Sequence, residues 1–413
     1  MSVVAMRDFH TLEDFNFKDK TVLLRVDINA PLDKSTLKII NDSRIRRIIP
    51  TVRELVGKRA KVVILAHQSR KGKWDFIPLE QHAKHLERHM NYPVRYVNDV
   101  VGAEAKKAIH SLKSGEVLVL GNVRELEYES KELSMEEHSR SELVKALAPL
   151  IDYYVSDAFG AAHRSQCSLM GFPAVVPSAS GRLMAKEVFA LESIFGDPRR
   201  PSVFILGGAK FGDVSKMISH VLGTKLADTV ILTGLAGNAY SMARGTDIGK
   251  ASADALKDEL TEENLEAARK VMSEFGQRIL LPLDVAVERD GKRTNVLMGD
   301  MPTAEPALDI GDDSIEKFRK VLLSSKTSFM SGPSGMYEKD GFDKGTKELM
   351  DAMIESRGQS VIGGGHTVGA ADKFGMADSF SYVSTAGGAL EEFLLGGTLP
   401  AVDALKVSYK KFP

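Results

Sequence analysis

The chain has 413 residues and a formal net charge of -1, so its overall charge does not attract nucleic acid or an anionic membrane. Hydrophobic residues at 43% and charged residues at 27% are typical of globular proteins. Cys167 is the only cysteine, which excludes an intrachain disulfide framework and a cysteine-rich metal site and favours a reducing compartment. Because the sequence shows neither a signal-peptide pattern nor an apolar run long enough to span a bilayer, we expect a cytoplasmic protein.

Two domains are expected, because the chain exceeds the size at which a single hydrophobic core keeps growing. Apolar, β-branched runs alternate with amphipathic helical stretches from end to end, which is typical of parallel sheets with helices on both faces. The sequence therefore predicts an α/β fold. In the first half, strands are predicted at TVLLRVD, KVVILAH, PVRYV, EVLVLG and YYVSDA.

A helix is predicted over residues 42–57, between the first two of these strands. Asp42 can cap its start, and Gly57 can supply a left-handed exit. Apolar side chains recur at helical spacing at Ile45, Ile48, Ile49, Val52, Leu55 and Val56.

In the middle of the chain, GRLMAKEVFALESIFGDPRRP predicts a helix over residues 181–197, stopped by Gly196 and Pro198. We interpret it as a connecting helix and hinge between the two halves. In the second half, strands are predicted at SVFILGG, TVILTG, RILLPLD, TSFMSG, SVIGGG and SYVSTAGG.

The residues that follow the strands carry the functional information, because ligands of open parallel sheets bind beyond the carboxyl ends of the strands. In the first half these positions are charged or polar. A single arginine there is more often a surface residue, but arginines after several strands predict a basic crevice for phosphate or carboxylate. The residues concerned are Arg25, Asp27, Asn29, His67, Arg70, Arg124, Asp157, His163 and Arg164, with Arg44 at the start of the next helix.

In the second half, glycines follow the strands instead. Several lead into predicted helices, whose first N–H groups and positive dipole end favour anions, although the P-loop pattern is missing. Lys210, in FILGGAK, is the one cation in these loops, so this half is predicted to bind a nucleotide through its backbone. The glycines are Gly207, Gly208, Gly234, Gly237, Gly332, Gly335, Gly363 to Gly365, Gly387 and Gly388.

These motifs resemble the phosphoglycerate kinase family, in the same order and over nearly the whole chain, and are similar to its archaeal branch. The matching segments are RVDINAP, DSRI, AHQSR, DAFGAAHRS, ILGGAK, SGPSGMYE, GGGHT and VSTAGGA with the later LP and VDAL. The resemblance implies two Rossmann-like domains joined by a hinge helix. It places the 3-phosphoglycerate domain at residues 1–180 plus 395–413 and the nucleotide domain at 198–394.

The resemblance also implies the roles of individual residues. Arg44 and Lys210 would be catalytic. Contacts to 3-phosphoglycerate would come from Asp27, Asn29, Arg44, His67, Arg70, Arg124 and Arg164. The nucleotide would be held by Lys210, Asp213, Leu308, Met336, Glu338, Gly364, Gly365, His366 and Thr367, with Leu308 and Met336 beside the adenine and Glu338 on the ribose.

The reaction implied is the reversible, in-line transfer of a phosphoryl group from 1,3-bisphosphoglycerate to ADP after domain closure, with Mg²⁺ as cofactor. Three departures from the family pattern bear on it: His366 replaces an aspartate that ligates magnesium, Val214 replaces a lysine, and Ser331 replaces an asparagine. Asp213 is the one candidate for the metal, and the chain is expected to be a monomer or homodimer. Two alternatives stay open here, a kinase for another small carboxylic acid and a nucleotide-binding scaffold without turnover.

Overall fold

The computed structural model describes residues 8–208, 211–384 and 387–413, with only the backbone described at 211 and 212. The chain divides into two compact units, Met1–Phe189 with Thr398–Pro413, and Ala190–Gly397. The boundary between Phe189 and Ala190 falls inside a helix of the predicted connecting segment, and the hinge role of that segment stays a prediction. Lys210 lies outside the described residues.

The strands are β1 (His10–Thr11), β2 (Thr21–Val26), β3 (Lys61–Ala66), β4 (Val94–Tyr96), β5 (Val117–Asn122), β6 (Tyr153–Asp157), β7 (Ser178–Ser180), β8 (Ser202–Leu206), β9 (Thr229–Leu232), β10 (Ile279–Leu280), β11 (Asp284–Arg289), β12 (Lys292–Leu297), β13 (Asp309–Ile310), β14 (Thr327–Ser331), β15 (Gln359–Gly363) and β16 (Tyr382–Val383).

The α-helices are α1 (Ser43–Arg47), α2 (Ile49–Gly57), α3 (Glu80–Met90), α4 (Ala103–His110), α5 (Met135–Ser139), α6 (Glu142–Leu147), α7 (Cys167–Met170), α8 (Arg182–Phe195), α9 (Phe211–Gly223), α10 (Gly234–Ala243), α11 (Lys250–Asp254), α12 (Glu262–Phe275), α13 (Asp312–Leu323), α14 (Lys344–Glu355), α15 (Gly365–Lys373), α16 (Gly387–Leu394) and α17 (Pro400–Lys411).

Each unit is built on a parallel sheet, as the sequence predicts. The first has seven strands in the order β1-β7-β6-β2-β3-β5-β4, and the second has six in the order β10-β9-β8-β14-β15-β16. The C-terminal helix α17 belongs to the first unit, where the Ala401 N–H donates to the carbonyl of Ala162 at 3.1 Å.

The apolar runs form the central strands because both faces of the sheet are covered. In β2, Val22 and Leu24 enter one buried cluster together with Ile64 of β3, while Leu23 enters a second cluster with Val63. Successive side chains of a strand point to opposite faces, so a continuous apolar run fills the two clusters alternately. The sheet is therefore a buried platform, and only its strand ends are free to carry polar chemistry.

The predicted helix over residues 42–57 is interrupted. Pro50 has no N–H to donate to the carbonyl of Arg46, and the structure forms α1 and α2 on either side of Ile48. Asp42 does not cap α1 through its side chain, which instead faces helix α3. Gly57 is the last residue of α2, and the left-handed conformation falls on Arg59, at φ 61°.

The second unit contains a third sheet that the prediction lacked, with strands in the antiparallel order β12-β11-β13. The predicted strand RILLPLD is only partly formed, as the short strand β10. After Pro282 the chain enters β11 of the third sheet. In the described part of the chain, no helix combines the length and apolar character needed to cross a membrane.

Candidate active site

Four neighbouring strands of the first sheet, β6, β2, β3 and β5, bring most of the predicted acid-binding side chains together. Asp27 follows β2, His67 follows β3, Arg124 lies just beyond β5, and Arg164 follows β6 after a short 3₁₀ turn. Since all four strands are parallel, their carboxyl ends meet at one edge of the sheet. The first unit thus carries a cluster of arginines at the position where open α/β sheets bind ligands.

Asp27 orients the arginine at the start of helix α1. The Arg44 Nη1 atom donates to Asp27 Oδ2 at 2.7 Å, and the Asp27 side chain is only 7% exposed. A Cβ atom at position 160 would lie 2.5 Å from the same oxygen, so Gly160 is required for this approach. Asn29 accepts a hydrogen bond from the Ser69 N–H at 2.9 Å, which joins the loops after β2 and β3.

Arg124 is a buried cation with unused hydrogen-bond donors. Its Nη1 donates to the carbonyl of Ser69, while Nε and Nη2 are buried and have no hydrogen-bond partner among the described residues. Burial, followed by the charges of Arg164 and Arg25, lowers the pKa of Arg124 to about 10. Buried donors of a charged group are costly to leave unpaired, so the geometry calls for an anion.

A pocket of 490 Å³ opens beside these donors. It is lined by Arg70, Arg124 and Arg164, among other residues. Burial, followed by the charge of Arg70, lowers the pKa of Arg164, and burial followed by Arg164 lowers the pKa of His163. Cations that depress one another's pKa in a pocket favour binding of a multiply charged anion.

His67 is a neutral hydrogen-bond donor in this cluster. Burial, followed by the charges of Arg25, Arg124, Arg164 and Arg44, holds the pKa of His67 well below its usual value. Its Nδ1 lies 3.0 Å from Arg25 Nη2, and because a guanidinium only donates, Nδ1 accepts and Nε2 carries the proton. His67 can therefore donate to a ligand without adding charge.

Arg25 does not line the crevice, although the sequence places it with the strand-end charges. It is fully buried within β2, where its Nε donates to Ser168 Oγ at 2.7 Å. Ser168 Oγ in turn donates to Glu129 Oε1 at 2.6 Å. Arg25 therefore holds the His67 ring in place from the buried side of the crevice. The sequence signal for this role is a charge inside an apolar run.

The second unit has a pocket of 710 Å³ at the carboxyl ends of β9, β8, β14 and β15. All of the predicted nucleotide-binding residues that are described line it. They are Asp213, Leu308, Met336, Glu338, Gly364, Gly365, His366 and Thr367.

Two glycines let the loops after β8 and β14 pack backbone against backbone. Gly332 has φ 87°, and a Cβ atom there would lie 2.3 Å from the Gly208 nitrogen. A Cβ atom on Gly207 would lie 2.3 Å from the carbonyl oxygen of Pro333. The Gly332 N–H donates to Thr367 Oγ1 at 2.8 Å, so Thr367 ties this loop to helix α15.

The start of α15 is open toward the pocket. Gly364 stands at the N-cap with φ 86°, and no side chain caps the helix. A Cβ atom added to Gly365 would meet nothing within 4 Å. The first N–H groups of the helix and its positive dipole end can therefore bind an anion, such as the phosphates of a nucleotide.

Apolar side chains line the same pocket. The Met336 N–H donates to the carbonyl of Leu308 at 2.7 Å, which joins the two backbone segments, and Met336 is 47% exposed. An exposed thioether next to a leucine is a suitable surface for a flat base.

Asp309 is a pocket residue that the sequence analysis missed. It is 4% exposed, and burial raises its pKa to about 6. It accepts hydrogen bonds from Arg293 Nη1 at 2.9 Å and from the Gly345 N–H at 2.8 Å. The sequence signal for Asp309 is an aspartate in a short apolar segment with glycines nearby. Gly345 is one of the glycines that make room for it, since a Cβ there would lie 2.3 Å from Asp309 Oδ1.

These features define a class of protein. One unit has a cluster of arginines suited to a small, multiply charged acid, and the other has open helix N–H groups and an apolar wall suited to a nucleotide. This combination is typical of a small-molecule kinase.

Comparison with known proteins identifies which kinase family this is. The family model described as phosphoglycerate kinase matches residues 12–397. A phosphoglycerate kinase from Methanothermobacter thermautotrophicus is 42% identical over 400 residues, covering 97% of both chains. One from Methanothermus fervidus is 39% identical over 406 residues, covering 98% of this chain and 99% of the relative.

The crystal structure of phosphoglycerate kinase from Pyrococcus horikoshii OT3 superposes with a TM-score of 0.90 at 38% identity, covering 98% of this chain and 100% of that one. The chain belongs to the phosphoglycerate kinase family, and it is a kinase that transfers phosphate to a carboxylate with ATP or ADP as a substrate.

Proposed function

We propose that the predicted residues carry out the reversible transfer of a phosphoryl group between 1,3-bisphosphoglycerate and ADP, giving 3-phosphoglycerate and ATP. The observation that carries the proposal is Arg124, whose Nε and Nη2 are buried beside Arg70 and Arg164 and have no hydrogen-bond partner in the part of the chain that the structure describes. 3-Phosphoglycerate presents a phosphate and a carboxylate, both of which guanidinium groups bind bidentately.

In this proposal, Arg70, Arg124 and Arg164 hold the phosphate end of the acid, with the Nε2–H of His67 and the Asn29 side chain as further contacts. Arg44, oriented by Asp27, acts on the carboxylate end, where the phosphoryl group arrives or departs. Phosphoryl transfer needs positioning and neutralisation of spreading charge more than covalent chemistry. An arginine in that role contributes about 10³ to 10⁵ in rate.

The nucleotide contacts are assigned on the pocket of the second unit. The N–H groups at Gly364, Gly365 and His366 would bind phosphate oxygens, and Leu308 and Met336 would border the adenine. Glu338, which is exposed at the same pocket, would accept from the ribose hydroxyls. Lys210, by its place in the family motif, would neutralise charge on the transferred group.

Magnesium fits the donors present. Asp213 lies in the first turn of α9, lines the pocket and is exposed, so its carboxylate oxygens are accessible to a hard cation. His366 supplies an imidazole, which magnesium does not favour. Asp213 would hold the ion together with nucleotide phosphates and water, and the ion would neutralise phosphate charge.

Transfer also requires that donor and acceptor meet with water excluded, because water would hydrolyse the acyl phosphate. We assign the hinge for this closure to residues 181–197, which include α8. Small-angle X-ray scattering tests the assignment: the radius of gyration should fall when both substrates bind. An unchanged radius would contradict it.

A coupled assay tests the reaction itself. Consumption of ATP with 3-phosphoglycerate should be rapid and should stop when magnesium is chelated. Acetate and aspartate as acceptors should give negligible rates, because neither fills the arginine-lined pocket. Turnover of those acids in preference to 3-phosphoglycerate would support a different carboxylate kinase, and nucleotide binding without any turnover would support a scaffold.

A further inference from the structure

Asp42, His85 and His89 form a cluster outside both pockets. Asp42 directly precedes α1, while His85 and His89 lie one turn apart on α3. In residues 8–208, 211–384 and 387–413, this is the one group of three or more potential metal-ligating side chains whose ligand atoms all lie within 4.8 Å of one another. The proposed function uses none of the three.

The ligand atoms converge on one side of Asp42. His89 Nε2 lies 2.6 Å and His85 Nδ1 lies 3.0 Å from Asp42 Oδ2. Residues four apart on a helix share one face, so both imidazoles point toward the carboxylate. Side-chain exposures of 17% for Asp42, 23% for His85 and 26% for His89 keep the cluster partly shielded yet reachable from solvent.

The guanidinium of Arg88 lies next to these ligand atoms. Arg88 Nη2 is 3.3 Å from Asp42 Oδ2 and 3.1 Å from His85 Nδ1. A guanidinium only donates, so His85 Nδ1 accepts from Arg88 in one tautomer and donates to Asp42 Oδ2 in the other, and in the first its lone pair points at a cation. The Arg88 side chain is 65% exposed and can move into solvent, which leaves the acceptors to another cation.

We propose that Asp42, His85 and His89 bind a divalent transition metal, with zinc as the representative ion. Two imidazoles and one carboxylate suit zinc, cobalt or nickel and do not suit magnesium. Metal–ligand bonds of about 2.0–2.1 Å in a tetrahedron set ligands about 3.3 Å apart. Metal binding would therefore widen the separations of 2.6 and 3.0 Å from Asp42 Oδ2 by a few tenths of an ångström, and water completes the coordination.

The charges around the site decide how binding occurs. Arg46 Nε contacts the other oxygen of Asp42, at 3.1 Å, so one oxygen remains paired while Oδ2 takes the metal. Arg88 is displaced, and any proton shared between the carboxylate and an imidazole is released. Zinc then links α3 to Asp42, which precedes α1 and lies two residues before Arg44.

Equilibrium dialysis of chelator-treated, nucleotide-free protein tests the site, with excess Mg²⁺ present to occupy oxygen-lined sites. We expect one Zn²⁺ per chain. His85→Gln and His89→Gln should each weaken zinc binding by about 100-fold or more, because loss of a group that merely supports a ligand already costs about 10- to 100-fold. The matched control is His110→Gln, which removes an exposed helical histidine outside the cluster.

Cobalt gives a spectroscopic readout that is independent of activity. Co²⁺ bound to wild-type protein should show the visible bands of a four-coordinate site, and the two glutamine variants should lose them while the control keeps them. Circular dichroism verifies that each variant is folded. The proposal is overturned if wild-type protein takes up no zinc under these conditions, or if both folded variants bind zinc as well as the control.

Discussion

Arg124 allows a test, at the scale of one residue, of whether the proposed acid site is kept at the expense of stability. Its guanidinium lies buried near Arg164 and Arg25, with two donors unpaired. Arg124→Ala should lower kcat/KM for 3-phosphoglycerate by about 30-fold or more, since truncating one partner of a buried charge pair costs about 2–5 kcal/mol. The melting temperature without substrate should stay level or rise, because an unpaired buried charge is removed.

Steady-state kinetics and thermal unfolding of the same preparations check both parts. The control is Arg140→Ala, which removes an exposed arginine paired with Glu136 in the same unit and should change neither quantity. A large fall in melting temperature for Arg124→Ala, with kcat/KM preserved, would assign Arg124 to the fold and not to the ligand.

His82 links a single buried residue to the pH dependence of stability. Its Nε2 contacts Gln68 Oε1 at 3.0 Å, and burial lowers its pKa from 6.5 to about 4. The unfolded chain therefore binds the proton first as pH falls. Stability contributed by the neutral ring is present above pH 6.5 and is lost as pH falls toward 4. At about 1.36 kcal/mol per pKa unit, the loss is about 3 kcal/mol.

Urea unfolding between pH 7 and pH 4.5 measures this contribution. His82→Gln should lose less stability across that range than wild-type protein, by about 2–3 kcal/mol, whatever its stability at pH 7. His110→Gln, at an exposed position, should retain the wild-type pH dependence. Parallel curves for wild-type protein and His82→Gln would show that the histidine is not held neutral.

Nucleotide binding is proposed to depend on the start of helix α15. Two adjacent glycines there allow the effect of backbone conformation to be tested separately from the effect of access to the pocket. Gly364 has φ 86°, so Gly364→Ala should destabilise the fold by about 1–2 kcal/mol. At Gly365 a Cβ meets nothing within 4 Å, so Gly365→Ala should fold normally. Its methyl group would enter the pocket and should raise KM for ATP about tenfold, equivalent to about 1.4 kcal/mol.

Urea unfolding and ATP titrations of the two variants check this contrast. Gly223→Ala provides the control, because Gly223 ends α9 away from the pocket lining and a Cβ there also meets nothing within 4 Å. It should leave KM for ATP unchanged. An unchanged KM in Gly365→Ala would remove the helix start from the nucleotide site.

The elements differ in how far the sequence predicts them. The central strands are predictable because a run buried on both faces is mostly apolar, as in residues 62–66 of β3. The interruption at Ile48 follows from Pro50, a local signal that the regular spacing of apolar residues outweighed. The β11–β12 hairpin also had a signal, Asp290-Gly291 between alternating residues, and both have positive φ, at 50° and 70°.

The residues of the candidate site also differ in how far the sequence predicts them. Residues that come directly after strands, such as His67, are predictable because the parallel sheet brings strand ends together. Arg25 and Glu129 act from behind the crevice, and their contacts join segments more than a hundred residues apart in sequence, through Ser168. The spacing of residues along the chain does not indicate such contacts.

At the scale of the whole molecule, each substrate is proposed to bind within one compact unit. The 490 Å³ pocket proposed for the acid is lined by residues of the first unit alone. The 710 Å³ pocket proposed for the nucleotide is lined by residues of the second unit alone. A ligand that binds only the folded form stabilises what it binds, by about 2.7 kcal/mol at a concentration 100 times its Kd. The two ligands should therefore protect different parts of the chain.

Hydrogen–deuterium exchange with one ligand at a time measures this separation. 3-Phosphoglycerate alone should slow exchange of amides at the carboxyl ends of β2, β3, β5 and β6, whereas ADP with Mg²⁺ should slow exchange in residues 332–336 and 364–368. Amides that open locally should slow by up to about 100-fold at such saturation, because protection follows the local opening free energy. Arg124→Ala should largely lose the first pattern and keep the second. Gly365→Ala should keep the first pattern and show only about tenfold slowing in the second, because its affinity for the nucleotide is expected to be about tenfold lower. Equal protection of both units by 3-phosphoglycerate alone would mean that acid binding is not confined to the arginine-lined unit.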